Sequence, residues 1–142
     1  MRPGLDNVIA AETVLSHVDG EAGRLIIRGH DLEDLAGHAT YEDATALLWD
    51  GFAPTSKLRT DLGLARVRMF ENFKPLADQA SRLTAVEAMR LLLAALPDGE
   101  RSKEPVDALA AAGVAAAMAA RLTSGHTALA PDPDLSHAAD IL

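Results

Sequence analysis

With 142 residues, 49% of them hydrophobic and 24% charged, the chain is long enough to bury a core of its own and too apolar to be a disordered segment. Its 21 acidic against 13 basic residues give a net charge of −8, and aromatic residues make up only 4%, which argues against nucleic acid and anionic membranes as partners. The absence of cysteine excludes disulfides, thiolate nucleophiles and cysteine-ligated metal sites.

The opening Met1-Arg2-Pro3-Gly4-Leu5-Asp6 has no signal-like apolar core. The longest apolar run, Ala108 to Ala120, is shorter than the ~20 residues of a membrane span. The expectation is a cytoplasmic protein with no membrane partner.

A run rich in β-branched residues, Val8 to Ser16, and a short apolar run, Leu25 to Arg28, flank His17 to Gly23 with its two glycines, and this pattern predicts a β-hairpin. From residue 31 the spacing turns helical. Asp31 is placed to cap a short helix carrying Leu32, Leu35 and Ala36 and ending at Gly37. Thr40 and Asp43 approximate a capping box for a helix bearing Ala44, Leu47 and Leu48, which stops at Gly51. Thr55 is placed to cap a longer stretch through Leu58, Leu62, Ala65 and Met69 that Pro75 interrupts.

Thr84 and Glu87 form a second capping box ahead of Ala88, Leu91, Leu92, Ala95 and Leu96, and Pro97-Asp98-Gly99 closes that helix. Pro105 suits the first turn of the next helix, which runs to about Ser124 with Gly125 beyond it. That helix is apolar nearly all round and rich in alanine, so it is expected at the centre of the fold with neighbours packed closely on it. Ala130 to Asp134 reads as a loop, and a last helix begins near Leu135. Ending on Ile141-Leu142 reads as a buried helix cut short, with more protein expected to follow. The predicted fold is mainly α, a helical domain with a small N-terminal antiparallel β-hairpin. It is read as one domain over 1–142, with 1–30 as the hairpin region and 31–142 helical.

Residue chemistry offers little. The five histidines, His17, His30, His38, His126 and His137, show no zincin spacing. His30 with Asp31, Glu33 and Asp34 forms an acidic cluster of the kind that can bind metal, but acids at a helix start are first explained by the helix dipole. Glu42 and Asp43 are carboxylates of the same sort. Gly20, Gly23 and Gly29 lie between strands, where a phosphate loop needs a strand followed by a helix. Ser16, Ser81 and Ser124 lack a nucleophile elbow. Trp49 and Met89 sit at core-like helical positions. No catalytic, cofactor-binding or metal-ligating residue is assigned.

The string Gly4 to Thr13, then Ser16 and Asp19-Gly20, resembles the opening of bacterial citrate and 2-methylcitrate synthases. So does Gly23 to Ala36, with His30 where the family commonly has tyrosine, followed in order by Thr40 to Asp43, Leu47-Leu48, Gly51 and Pro54-Thr55. Thr84 to Arg90 lies where a His-Pro-Met segment is frequent, and its His-Pro is missing. The alanine-rich helix, Arg121, Gly125 and Pro131 to Leu142 look like family counterparts. The resemblance implies a mostly helical fold with a small N-terminal β element, typically dimeric through helix packing. It also implies that the catalytic histidines and aspartate, and most substrate and coenzyme A contacts, lie past this chain's last residue.

The family's chemistry, by this resemblance, is a Claisen-type condensation of acetyl-CoA with oxaloacetate, which needs a base, an acid and support for the enolate. The chain is therefore expected to be the N-terminal component of such an enzyme, inactive alone. Its expected partners are copies of itself, a second chain carrying the catalytic half, or both. Acetyl-CoA would be a substrate only of the completed enzyme. The alternative is a stand-alone, non-catalytic helical module for self-association or partner binding.

Overall fold

A computed structural model describes residues 12–96 and 105–142. The chain divides into two compact units, Met1–Leu48 and Trp49–Leu142.

In Met1–Leu48, β1 (Ser16–Asp19), β2 (Arg24–Ile27) and β3 (His30–Asp31) form an antiparallel sheet in the order β1-β2-β3. Ser16 pairs with Ile27 and Asp19 with Arg24. The connecting turn is fastened by the Ala22 N–H, which donates to Asp19 Oδ1 at 2.9 Å. The expected hairpin is present, but its first strand lies later than predicted. His17, Val18 and Asp19, read as loop, are strand, and the predicted strand residues Val8 to Ala11 lie outside the described residues. An unpredicted second turn, Arg28-Gly29, has both φ values positive (50° and 87°), as a two-residue type I′ hairpin requires, and it creates β3.

α1 (Leu32–Leu35) follows directly. Asp31 precedes it as predicted, but its side chain makes no cap bond. It accepts instead a fork from Arg24 on β2, with Nε to Oδ1 at 2.7 Å and Nη2 to Oδ2 at 2.6 Å. The two-point fork engages both carboxylate oxygens that a local cap would have used. α2 (Tyr41–Trp49) begins at the predicted box: the Asp43 N–H donates to Thr40 Oγ1 at 3.1 Å, and the Thr40 N–H to Asp43 Oδ2 at 3.0 Å. Arg28 Nε reaches the Leu47 carbonyl at 3.2 Å and ties the turn to the end of α2. Ile27, Leu32, Leu35, Ala44 and Leu47 line an apolar cleft of about 220 Å³ between these elements.

In Trp49–Leu142 the long elements are α3 (Leu58–Phe73), α5 (Ala85–Leu93) and α6 (Pro105–Thr123). Thr55 contributes its carbonyl to the Leu58 N–H at 3.2 Å, and no side-chain cap forms at the start of α3. Pro75 ends α3 as expected. A 3-10 turn, Lys74–Leu76, leads into α4 (Ala77–Ala80). The second capping box forms in full, with the Thr84 N–H donating to Glu87 Oε2 at 3.0 Å. The predicted stop at Pro97-Asp98-Gly99 lies outside the described residues.

α6 starts at Pro105, and Gly125 beyond its end takes a φ of +79°. It is the central helix: α3, α4, α5 and α7 (His137–Ile141) all pack on it. Leu62, Met69 and Phe73 of α3, Leu92 of α5 and Val114 and Met118 of α6 form the core. Length and apolarity alone would let α6 cross a membrane, yet half of that window is buried within the protein, as in the core helix of a globular bundle. Its small side chains let the neighbouring helices approach. A Cβ on Gly113 would sit 2.8 Å from Ile141 Cδ1 and 2.9 Å from the His137 ring. Gly63 of α3 is tighter still, since a Cβ there would collide with the Pro133 carbonyl.

Candidate functional site

An arginine lies inside the apolar stripe of α3. Arg66 follows Leu62 and precedes Met69 on the buried face, and its side chain is 0% exposed. A guanidinium cannot shed its charge, so burial at this position demands partners. They come from the other end of the unit. Nε donates to Asp140 Oδ2 at 2.6 Å, and Nη2 donates to the carbonyls of Asp132 at 3.0 Å and Leu135 at 2.9 Å. Asp140, 6% exposed, uses its other oxygen to accept from the Asp132 N–H at 2.7 Å. Nη1 is buried with no hydrogen-bond partner among the described residues. Ser136 caps α7 by accepting from the Ala139 N–H at 3.3 Å, and Arg59 reaches the Asp134 carbonyl at 3.4 Å.

Beside this cluster is a cavity of about 260 Å³, walled on one side by Val114, Met118 and Arg121 of α6 and on the other by Pro131, Leu135 and Leu142. It is smaller than the roughly 300–1,000 Å³ of sites that enclose a drug-sized ligand. Arg121 Nε is committed to the Thr127 carbonyl at 2.9 Å. Both oxygens of Asp140 are taken, one by Arg66 and one by the Asp132 N–H, so the cluster orders backbone.

The residues singled out in the sequence are scattered. His17, His30, His38 and His126 are exposed, and His137 is buried at the start of α7 against Gly113. Asp31 is engaged by Arg24, whose hydrogen bond holds the carboxyl below its ordinary pKa. The Thr40 hydroxyl does the same to Asp43, and the Thr84 N–H, followed by its hydroxyl, to Glu87. Glu42 is buried in α2, and the adjacent Tyr41 hydroxyl is raised by burial and then by the Glu42 charge. Ser81 Oγ donates to the Asp78 carbonyl at 2.9 Å. Gly23 and Gly29 serve turns. Trp49 and Met89 are half-buried. Among the described residues no three of His, Cys, Asp and Glu are placed to hold a metal ion. Sequence reading passed over Arg66 and Asp140, which lie 74 positions apart. The available signal was a lone basic residue inside the apolar spacing of α3.

The architecture is that of a mainly helical protein with a small antiparallel sheet. A family model described as "Citrate synthase, C-terminal domain" matches residues 4–142. The citrate synthase of Haloferax volcanii is 32% identical over 162 aligned positions, covering 100% of this chain and 42% of the relative. That of Acidithiobacillus ferridurans is 34% identical over 159 positions, covering 99% and 41%. The crystal structure of citrate synthase from Thermotoga maritima superposes with a TM-score of 0.78 at 23% identity, over 99% of this chain and 40% of that one. The chain belongs to the citrate synthase family. It spans about two fifths of the length of the curated relatives it matches.

Proposed function

We propose that this chain is the N-terminal component of a citrate synthase-like enzyme, which condenses acetyl-CoA or a similar acyl-CoA with oxaloacetate once the rest of the family's length is supplied. The family model takes its description from a C-terminal domain. The ordered string from Gly4 to Ala36, however, resembles the opening of family members, and on that string we place the chain at the front. The observation that carries the reading is coverage: relatives named as citrate synthases match nearly all of this chain while about three fifths of their own length lies outside the match. The buried Arg66–Asp140 cluster supports the reading, because it orders backbone. In this reading the helices around α6 are a scaffold, the acid and base come from elsewhere, and the completed enzyme is a cytoplasmic acyltransferase assembled from more than one copy.

The test is co-expression with a polypeptide carrying the remaining three fifths of a relative, followed by co-purification and an assay of citrate formation with release of free CoA. Complex formation with activity that neither part shows alone is expected. A monodisperse oligomer of this chain that ignores the second polypeptide would replace the proposal with a stand-alone helical module.

A further inference from the structure

We infer that residues 131–141 form a strap that docks on α3 and α6, and leaves them, as one cooperative unit whose docking is decided by Arg66. The inference is independent of the proposed function.

The strap runs from the 131–134 loop through the Ser136 cap into α7 and lies on a seat formed by α3 and α6. The seat consists of two bare patches of helix. Gly63 lets the Pro133 carbonyl lie on α3, and Gly113 lets His137 and Ile141 lie on α6. Burial contributes little to the hold: of the strap's side chains only His137 is buried as a whole residue, while Leu135 remains 42% exposed. The polar grip is the more extensive. All three hydrogen bonds from the Arg66 side chain go to the strap, at Asp132, Leu135 and Asp140, and Asp140 closes the loop by holding the Asp132 N–H. Removing one member of a buried ion pair strands the other charge, and that penalty falls on the docked state alone if the strap is what moves.

The strap supplies one wall of the cavity and α6 the other, so the cavity exists only while the strap is docked. Arg66 grips the strap without being among the residues that line the cavity.

Amide hydrogen exchange on the 142-residue chain tests this. In rising sub-denaturing urea, the amides of Asp132, Ala139, Asp140 and Leu142 should share one opening step, well before the amides of Val114 and Ala115 within α6 exchange. Arg66→Met should speed exchange of the strap amides by about a hundredfold or more and leave the α6 amides unchanged. Adding Asp140→Leu to that variant should restore most of the protection, because no charge is then stranded. Exchange of strap and α6 amides in a single global step in the unmodified chain overturns the inference. So does an equal acceleration of both sets by Arg66→Met. If Arg66→Met fails to fold, the urea series on the unmodified chain decides alone.

Discussion

Among the described residues, every buried hydrophobic side chain lies in Trp49–Leu142; the buried side chains of Met1–Leu48 are Glu42 and Thr45, both on α2. The larger unit is organised around apolar burial on α6, with the Arg66–Asp140 cluster sealed inside it. The smaller is organised by turn geometry, a capping box and an exposed ion pair, around a cleft whose walls stay partly open. Apolar burial is the term that scales to many kilocalories, whereas each cap or surface pair contributes about 1 kcal/mol. Within a single chain the two units should therefore respond very differently to substitution.

The largest contrast should come from the cores. Phe73→Ala, at a site 0% exposed, should cost about 3–5 kcal/mol in urea unfolding, and Ile26→Ala in half-buried β2 less than half of that. Equal losses would break the comparison. Next, Gly63→Ala would stabilise an ordinary helix by up to about 1 kcal/mol. Here the new methyl meets the Pro133 carbonyl, so a loss of about 1–3 kcal/mol in thermal unfolding is expected. A gain would show that the loop yields.

Smaller effects belong to the caps. Thr84→Ala should cost about 1 kcal/mol, with Thr40→Ala giving the matching test in the smaller unit. Both boxes carry a pH signature. The folded-state pKa values of Asp43 and Glu87 are depressed, so their contribution is fully present above the ordinary carboxylate range and is lost as pH falls through about 4 and below. Stability measured against pH should fall less steeply in acid for each threonine variant than for the parent. An identical acid slope would remove the boxes as its source. The smallest effect should be that of Arg24→Ala. Its pair with Asp31 is more than half exposed on the arginine side, so the melting temperature should stay within error and vary little with salt.

The helical unit was the more legible in sequence, for a physical reason. The Thr84–Glu87 capping box, Pro105 at a first turn and Gly125 past an end are local signals written within a few residues, and the all-round apolar character of α6 states its central place directly. The sheet was legible only in outline. β1 carries Ser16, His17 and Asp19 because its faces are exposed, and the alternation that marks a half-buried strand is absent. The turn that makes β3 holds Arg28, a non-glycine, at positive φ, and its residue type gives no sign of this. Asp31 looked like a cap because its competitor, Arg24, sits on a neighbouring strand. Arg66 and Asp140 are joined only by tertiary structure, so spacing could flag the arginine as out of place without naming its partner.

The contact at Gly63 bears on which histories of substitution are open to this chain. What lies over it is main chain: the carbonyl oxygen, the carbonyl carbon and the α-carbon of Pro133. A bulkier residue at position 63 thus has no second-site suppressor of the usual kind, because no change of side chain at 133 trims a carbonyl away. Compensation has to come from altering the path of the loop itself, by insertion, deletion or a new turn. Relatives that lack glycine at the equivalent position should differ from this chain in the length or turn chemistry of that loop, and the two characters should be inherited together.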